Sequence, residues 1–272
     1  MKLLTLNVHA LPAENEEKQR ILSEFLLKER PDAVALQEVY QSRSAPALER
    51  IPTGVHCFAS DIPLREDNFL LGLLARLKGE YACCYLPVKI GYGIYDEGLA
   101  VLCRFPIGEV RAISLTPERS YEDWRRRCAL AVCPHGREEW VVCLHMSWWE
   151  EGFLSEWNRL TDGIRDLPSV WLMGDFNVSA GQMEREGDPL GKDGYFDAFS
   201  LARQRDSETD TVRTDADGWR GRIPKDGLRI DQIRCRPCRP LLRYRRVFDG
   251  RNQPILSDHF GVMAESEENA YE

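Results

Sequence analysis

The sequence lacks any long, uninterrupted apolar run. A membrane-spanning helix needs roughly 18 consecutive apolar residues, and no window of the 272-residue chain approaches that length. The first ten residues, MKLLTLNVHA, are interrupted by the polar side chains of Thr5, Asn7 and His9 and contain no small-residue cleavage site. We therefore expect this segment to be a strand rather than a signal peptide, and the protein to be cytoplasmic.

The cysteine spacing typical of zinc sites or disulfide frameworks is also missing. The nine cysteines are an odd number, and Cys103, Cys133 and Cys143 lie inside apolar, strand-like runs, where a thiol behaves as a small hydrophobic group. The CxxC motif from Cys235 to Cys238 has no second Cys or His pair at zinc spacing. The sequence therefore disfavours structural zinc, and this motif is interpreted as two thiols at a strand end.

An excess of positive charge is absent as well. The 36 Lys and Arg residues are outnumbered by 44 Asp and Glu residues, so the formal net charge is −8. A protein that grips nucleic acid mainly through a basic surface needs the opposite balance, because cationic side chains supply most of that affinity. Between residues 220 and 251, however, Arg and Lys are in excess. This strip would suit an anionic substrate, although a solvated strand face is the commoner explanation.

Short strand-like segments alternate with helical patterns, and no Pro/Gly/Ser-rich linker or internal repeat divides the chain. Strands are predicted at 3–7, 33–38, 99–104, 128–133, 140–145, 170–174, 228–233, 242–248 and 260–264. Helices are predicted at 16–30, 66–78 and 152–167, the first capped by Asn15, and a surface loop at 179–194. This pattern predicts one α/β (α+β) domain over residues 1–265, with two packed mixed β-sheets flanked by helices, followed by an acidic tail over 266–272.

Six short motifs lie at or near the ends of predicted strands. They are Asn7-Val8-His9, Leu36-Gln37-Glu38, Leu144-His145, Gly174-Asp175-Phe176-Asn177, Arg229-Ile230-Asp231 and Ser257-Asp258-His259. Each is weak alone, because a carboxylate after an apolar strand is most often the first solvated residue. Together they supply carboxylates for Mg²⁺, a base for water and donors for phosphoryl oxygens. The set predicts hydrolysis of a phosphate ester.

In order, and over nearly the whole chain, the motifs resemble those of the endonuclease/exonuclease/phosphatase family, which includes exonuclease III, deoxyribonuclease I, inositol polyphosphate 5-phosphatases and neutral sphingomyelinases. The resemblance implies a four-layer α/β/β/α sandwich like that of deoxyribonuclease I, and a metal-dependent hydrolase acting on phosphate ester bonds. Two positions depart from the common pattern: His9 stands where many members have Trp or another residue, and Gln232 follows Asp231 where Tyr is frequent. Neither departure removes a group that the mechanism needs.

The resemblance also implies a role for the carboxylate and amide side chains. Glu38 is expected to be the principal metal ligand, with Asn7 and Asp258 close to the metal or to its waters, and Mg²⁺ or Mn²⁺ is the expected cofactor. Asp175 would orient and deprotonate the attacking water, while Asn177 would hydrogen-bond the developing charge. An Asp with an ordinary pKa is a poor base, so positioning and metal assistance must contribute much of the catalysis.

The two motif histidines are expected to stabilise the transition state from opposite sides. His145 and His259 would hydrogen-bond non-bridging phosphoryl oxygens as cations or neutral donors. Each needs an orienting carboxylate: the resemblance pairs Asp231 with His259, and Glu97 is the preferred partner of His145, with the adjacent Asp96 as the alternative.

Peripheral side chains must select the substrate, because the catalytic centre is shared across the family. Trp148, Trp149 and Trp219 are predicted to lie in loops at the rim of the site, where a sugar ring could stack on their side chains. Packing within the protein is an equal alternative. Arg127 resembles a phosphate-contacting Arg of some members, or is one of three solvated arginines. The segments 91–100, 148–149 and 171–175 resemble a bacterial subgroup that includes maltose 6′-phosphate phosphatase.

The sequence thus predicts a phosphomonoesterase acting on a phosphorylated sugar, with a DNA or RNA nuclease as the alternative. No long basic insertion suited to gripping a duplex is visible. The missing signal peptide disfavours a secreted sphingomyelinase, and an inactive binding module would be expected to have lost one of Glu38, His145, Asp175 or His259. We expect a small phosphorylated substrate, no membrane association and no obligate protein partner.

Overall fold

The computed structural model describes residues 1–58, 61–216, 219–221, 227–251 and 253–267. Within these ranges the strands are β1 Lys2–Ala10, β2 Ala33–Ser42, β3 Val55–Cys57, β4 Ala82–Gly91, β5 Tyr95–Cys103, β6 Ile107–Ser114, β7 Cys128–Pro134, β8 Glu139–His145, β9 Ser169–Asp175, β10 Phe196–Asp197, β11 Ala202–Arg205, β12 Asp231–Arg236, β13 Leu241–Val247 and β14 Gly261–Ser266. The helices are α1 Asn15–Glu29, α2 Phe69–Leu77, α3 Phe153–Gly163, α4 Ala180–Arg185, α5 Pro189–Lys192 and α6 Ala198–Leu201.

The strands form two mixed sheets. The larger has the order β11-β13-β14-β1-β2-β5-β4-β3, and the smaller has the order β10-β12-β9-β8-β7-β6. Near the centre of each sheet one pair is parallel, β1 with β2 and β8 with β9, and a helix connects the two strands of each pair. Their other neighbours, such as β5 beside β2 and β12 beside β9, run antiparallel.

The two sheets pack face to face around an apolar core. Leu3 and Val101 of the larger sheet pack in the same cluster as Trp171 of the smaller sheet. On the outer face of the larger sheet, α1 contributes the buried Leu26, and on the outer face of the smaller sheet α3 contributes the buried Phe153. The layers therefore follow the order α/β/β/α, which confirms the predicted fold class.

The segment 179–194 was expected to be a surface loop, and this prediction is wrong. Ser179 caps α4 by accepting a hydrogen bond from the backbone of Gln182, and Asp188 caps α5 in the same way. Met183 and Leu190 are fully buried. Each helix is too short to show a periodic apolar pattern, so the polar, glycine-rich composition concealed both of them.

Several predicted boundaries also differ from the structure. The helix expected from residue 66 begins at Phe69, because residues 66–67 form a turn and the side chain of Asn68 caps the helix by accepting a hydrogen bond from the Leu70 backbone at 2.9 Å. Asn15 is the first residue of α1 rather than its side-chain cap. The strand expected at 228–233 begins only at residue 231. The sequence had given no prediction for β3, β4, β6, β10 or β11.

The sequence also makes predictions for the cysteines and for the C-terminal residues. All nine cysteines are free, with Cys235 buried in β12 and Cys238 exposed. Ser266, assigned to the acidic tail, is the last residue of β14 and pairs with Leu241, while residues 268–272 lie outside the described part of the chain. Among the helices of the described ranges, none combines the length and the apolar character needed to cross a membrane.

Candidate active site

The six motifs meet at one end of the two packed sheets, at or near the ends of strands. Strand pairing places Asn7 beside Gln37, and it places Asp175 between His145 on one side and Asp231 on the other. A cleft of about 270 Å³, open to solvent at its mouth, lies there. The residues of its wall that the sequence predicted are Glu38, Glu97, Arg127, His145, Trp148, Asp175, Asn177, Trp219, Asp258 and His259. Asn7 and Asp231 are fully buried beside it.

A hydrogen bond joins Asn7 and Glu38. Asn7 Nδ2 donates to Glu38 Oε1 at 2.9 Å and lies 3.3 Å from Asp175 Oδ2. Glu38 has a left-handed φ of 53°, and the pairing of β1 with β2 shifts register between Asn7 and Ala10. Such an irregularity re-aims a side chain that regular alternation would turn to the other face. It brings the Glu38 carboxylate to the wall of the cleft.

Asp258 supplies a second carboxylate on the cleft wall. Its Oδ1 accepts a hydrogen bond from Ser257 Oγ at 3.0 Å and lies 3.6 Å from His9 Nδ1. Burial alone would raise the pKa of Asp258, but the interactions with the nearby imidazoles of His9 and His259 outweigh it and hold the pKa well below its usual range. Asp258 is therefore ionised at neutral pH.

The donor chemistry of these residues fits a divalent cation. Glu38 and Asp258 present carboxylates to the cleft, and Mg²⁺ prefers such oxygen ligands while it retains several waters. A second group has possible ligand atoms within 4.8 Å of one another; its members are Asp175, Asp231 and His259. The imidazole of that group is hydrogen-bonded to a carboxylate, and nitrogen is a poor ligand for Mg²⁺. The first group is therefore the better candidate for a magnesium site.

His259 is held between two carboxylates. Its Nδ1 lies 2.9 Å from Asp231 Oδ2, and its Nε2 lies 3.8 Å from Asp175 Oδ2. Burial alone would lower the pKa of His259, but the charges of Asp231 and Asp175 outweigh it and raise the pKa to about 10. The structure thus brings together the pair that the resemblance implied, with His259 as a buried imidazolium.

Asp175 ends β9 in a tightly packed position. A Cβ on Gly174, whose φ is 153°, would meet the Leu144 carbonyl oxygen at 2.0 Å, so only glycine lets β9 approach β8 here. The Asn177 backbone N–H donates to Asp175 Oδ1 at 2.8 Å, and Asn177 Nδ2 donates to the Met146 carbonyl at 2.9 Å. Burial raises the pKa of Asp175 to about 7, which makes it a stronger base than an ordinary Asp.

His145 lies between Glu97 and Asp175. Its Nδ1 is 3.7 Å from Glu97 Oε1, and its Nε2 is 3.6 Å from Asp175 Oδ2. Glu97 Oε1 also lies 3.2 Å from Lys89 Nζ. Burial lowers the pKa of His145 well below its usual value, and the charges of Arg127 and Lys89 act in the same direction. His145 is therefore a neutral imidazole, in contrast to His259.

The neighbouring Asp96 serves other partners. It accepts hydrogen bonds from Gln41 Nε2 at 3.0 Å and from the Tyr121 hydroxyl at 3.1 Å. Of the two candidate carboxylates, Glu97 is the one that the structure places beside His145.

Arg127 is buried rather than solvated. Its Nη1 donates to the carbonyl oxygens of Trp124 and Arg126 at 3.2 and 3.3 Å, and the side chain lines the cleft together with His145. Its Nε is buried and has no hydrogen-bond partner among the described residues. This placement favours the phosphate-contacting interpretation of Arg127.

The three tryptophans expected at the rim occupy different places. Trp148 and Trp219 line the cleft but stack on each other, with ring centroids 5.1 Å apart and ring planes at 26°. Trp149 stacks on Phe153 at 5.5 Å, and within the described chain it is not part of the cleft wall. Residues 217–218 of the turn predicted before Trp219 lie outside the described residues.

Sequence reasoning missed several residues of the cleft wall, which include Tyr40, Lys89, Tyr92 and Trp124. The Tyr40 hydroxyl lies 3.1 Å from Glu38 Oε2 and 3.2 Å from Glu97 Oε2, so it links the metal-ligand candidate to the carboxylate beside His145. Its position two residues after Glu38 was a usable signal. A single Lys within an apolar segment gave no comparable signal for Lys89.

Known proteins share this architecture, although a comparison with curated proteins found no match. The structure is similar to an endonuclease/exonuclease/phosphatase family protein from Leptotrichia buccalis C-1013-b, at 27% identity and a TM-score of 0.81, over 98% of this chain and 99% of that one. It is also similar to the 3′ phosphatase NExo from Neisseria bound to product DNA hairpin, at 19% identity and a TM-score of 0.64, over 98% and 99% of the chains. A third similar structure is the 3′-5′ exonuclease NExo from Neisseria meningitidis, at 18% identity and a TM-score of 0.61, over 98% of this chain and 100% of that one.

The family assignment rests on the sequence as well as on the fold. A model of the Endonuclease/Exonuclease/phosphatase family matches residues 4–259, a span that includes all six motifs. Members of this family are metal-dependent phosphoesterases and nucleases, so the prediction of a metal-dependent hydrolase acting on phosphate ester bonds is confirmed. The chain belongs to the endonuclease/exonuclease/phosphatase family.

Proposed function

We propose that the protein is a Mg²⁺-dependent phosphomonoesterase that hydrolyses a phosphorylated sugar with a water molecule activated by Asp175. The observation that carries this proposal is the position of Asp175 Oδ2, which lies 3.6 Å from His145 Nε2 and 3.8 Å from His259 Nε2. A base with a raised pKa thus stands between a neutral imidazole and an imidazolium. A phosphoryl group in the cleft would meet the base and two histidine side chains in one place.

The mechanism follows from these side chains. Asp175 accepts a proton from the attacking water, whose oxygen bonds to phosphorus while the ester P–O bond breaks. The sugar oxygen leaves with the bonding electron pair and takes a proton from solvent water to become an alcohol. His259 and His145 hydrogen-bond the non-bridging oxygens as negative charge develops on them. Mg²⁺ bound by Glu38 and Asp258 would neutralise part of the phosphoryl charge. Asn177 restrains Asp175 through its backbone N–H.

Two buried cations support a monoester rather than a diester. A phosphate monoester carries a charge of about −1.5 to −2 at neutral pH, more than a diester. Lys89 and Arg127 line the same cleft as His145 and are 6% and 7% exposed. In the described part of the chain, the carboxylate paired with Lys89 is that of Glu97, which also lies beside His145 and Tyr40. Arg127, whose Nε has no hydrogen-bond partner among the described residues, therefore offers positive charge to the additional charge of a monoester, and Lys89 offsets the charge of Glu97.

A sugar as the rest of the substrate is supported by the size and lining of the cleft and by the net charge of the protein. The cleft volume of about 270 Å³ suits a small molecule, and aromatic side chains form part of its wall. The overall charge of −8 is unfavourable for gripping a duplex. The resemblance of the loop segments to the subgroup that includes maltose 6′-phosphate phosphatase points to the same substrate class.

A second candidate is the removal of a terminal phosphate from DNA, or the cleavage of a DNA or RNA phosphodiester. It is favoured by the two similar NExo proteins from Neisseria, one a 3′ phosphatase bound to product DNA hairpin and the other a 3′-5′ exonuclease. At 18–19% identity these structures share the fold with this chain, and a shared fold does not fix the substrate.

Phosphate release distinguishes the two candidates. The protein would be incubated with a panel of sugar phosphates, with a 3′-phosphorylated DNA hairpin and with supercoiled plasmid, each in Mg²⁺ and in excess chelator. We expect metal-dependent release of inorganic phosphate from at least one sugar phosphate, with intact plasmid. Efficient action on the hairpin or plasmid, with every sugar phosphate left intact, would establish the second candidate instead.

A further inference from the structure

Two large aromatic side chains of the cleft wall remain exposed. Tyr92 is 63% exposed and Trp124 is 59% exposed, and both line the cleft that contains Asp175. Trp148 and Trp219 also line the cleft and stack on one another, and the Tyr92 ring lies 6.2 Å from that of His9 and 6.0 Å from that of Tyr40. Exposed aromatic surface beside a catalytic cleft is typical of a ligand-binding wall. The rings available to a substrate are therefore different from those that the sequence indicated.

The backbone presents Tyr92 in a strained conformation. Tyr92 and Gly93 have φ values of 50° and 73°, and the Ile94 N–H donates to the Gly91 carbonyl at 3.3 Å. The two residues are thus the central residues of a turn within the three-residue connection between the paired Gly91 of β4 and Tyr95 of β5. Gly, Asn and Asp are the usual residues at the first central position, because larger side chains are disfavoured at positive φ. A bulky Tyr that persists there, with its hydroxyl 3.2 Å from His9 Nε2 at the cleft, indicates a function for its side chain.

The loop that carries Trp124 is fixed to this hairpin. The Ile90 N–H donates to the Tyr121 carbonyl at 3.0 Å, and the Tyr121 hydroxyl donates to Asp96 in β5 at 3.1 Å. The Trp124 carbonyl in turn accepts a hydrogen bond from the guanidinium of Arg127 at 3.2 Å. The exposed rings are thus positioned relative to each other and to the phosphate-binding end before a substrate arrives. Such preorganisation lowers the entropic cost of binding.

We propose that Tyr92 and Trp124 bind the ring of the phosphorylated sugar and determine which phosphate monoesters the enzyme accepts. This inference rests on the proposed function and extends it to the part of the substrate that does not react. A sugar ring has a face of C–H groups that packs on an aromatic ring, while its hydroxyl groups stay hydrated at the open mouth of the cleft. Binding energy from this remote part improves kcat/KM for ring-containing substrates.

The test compares two phosphate monoesters that differ in the ring. One is the best sugar phosphate of the panel, and the other is glycerol 2-phosphate, which has no ring. We expect Trp124→Ala and Tyr92→Ala each to lower the ratio of kcat/KM for sugar phosphate to that for glycerol 2-phosphate by about fivefold to tenfold, mainly through KM. Tyr92→Phe, which keeps the ring, should retain the wild-type ratio.

Ile94 offers a matched control in the same hairpin. It is 60% exposed, much like Tyr92, but in the described chain it does not line the cleft. Ile94→Ala should keep the wild-type ratio. A ratio that is unchanged in both Trp124→Ala and Tyr92→Ala would overturn the inference. So would equal losses on both substrates with a lowered Tm, because that pattern belongs to a structural role.

Failure of the proposed function would look different from failure of this inference. In that case the wild-type protein would release no phosphate from any sugar phosphate, which is evident before any variant is compared, and both conclusions would be overturned. A wild-type sugar phosphatase whose Ala variants keep their preference would overturn the ring-binding role alone.

Discussion

His259 Nδ1 lies 2.9 Å from Asp231 Oδ2, and both side chains are buried at the base of the cleft. The pair joins β12 to the loop before β14 across 28 positions of the chain. It orients the ring so that Nε2 lies 3.8 Å from Asp175 Oδ2. The charge of Asp231 also stabilises the imidazolium, so a cationic donor stands next to the proposed base.

Removal of this donor should impair turnover far more than folding. We expect His259→Ala to lower kcat by on the order of 10²–10⁴, because it removes a group that stabilises the transition state. When Asp231→Asn is added to that variant, kcat should fall little further, since residues that act as a unit have non-additive effects. Steady-state kinetics of both single variants and the double variant measure this. Losses that multiply would show that the two residues act independently.

Metal dependence should be associated with Glu38. Excess chelator should abolish hydrolysis, and added Mg²⁺ or Mn²⁺ should restore it. Glu38→Gln keeps the size of the side chain but removes its charge, so half-maximal activity should require a higher Mg²⁺ concentration. Titration calorimetry with Mg²⁺ alone provides a second readout that is independent of turnover. Full activity of the wild type in excess EDTA is incompatible with this account.

Lys89 should contribute to the recognition of monoesters. Its ammonium is buried beside Glu97 and lines the cleft, so Lys89→Met removes a positive charge from a site of low dielectric. We expect kcat/KM for a monoester to fall by roughly 10–100-fold, as for the loss of a charge-assisted contact of about 1.5–3 kcal/mol. Lys28→Met, at an exposed position of α1, is the matched control. Comparable kinetics of the two variants would exclude a role for Lys89.

The motif residues could be predicted from the sequence because each is a polar residue at or near the end of an apolar, strand-like run. Asp175 is an example: it is the last residue of the buried strand β9, and the apolar run before it was enough to predict its position at the end of a strand. The orientation of the Glu38 side chain could not be predicted from such a run. Its positive φ and the register shift beside it depend on how β1, β2 and β5 pair. A local pattern does not contain that pairing.

Lys89 and the exposed aromatic residues could not be predicted for a related reason. Lys89 belongs to β4, which had no sequence prediction, and its contact with Glu97 depends on the pairing of β4 with β5. The sequence could not distinguish which of the three tryptophans line the cleft, because adjacent residues in a loop point to different neighbours: Trp148 stacks on Trp219, whereas Trp149 stacks on Phe153. Tertiary contacts alone decide which rings remain exposed.

The stability of the fold should depend on a nearly buried ion pair behind the site. Arg229 donates to both carboxylate oxygens of Asp197, at 3.0 and 2.6 Å, and its guanidinium lies 4.6 Å from the centre of the Phe199 ring. Burial alone would raise the pKa of Asp197, but the guanidinium outweighs it and lowers the pKa. Asp197→Asn should reduce the free energy of unfolding at pH 7 by about 3–5 kcal/mol.

The pH dependence of this effect follows from the lowered pKa. The folded state holds Asp197 ionised more strongly than the unfolded state, so the stabilisation is complete above the unfolded pKa and is lost as the pH falls below about 4. The difference between the urea midpoints of wild type and Asp197→Asn should therefore be constant from pH 7 to about pH 4 and shrink as the pH falls further below about 4. A difference that stays constant below about pH 4, for as long as both proteins remain folded without urea, would refute the ion-pair interpretation.

The most direct test of the account is phosphate release from a sugar phosphate by the wild type and by Asp175→Asn, in the same Mg²⁺ buffer. Asparagine has nearly the same shape as Asp175 but cannot accept the proton of the attacking water. We expect the wild type to turn over the substrate and the variant to be slower by on the order of 10²–10⁴, while it still binds inorganic phosphate and unfolds cooperatively. A folded variant that keeps most of the wild-type rate would contradict the central role of Asp175.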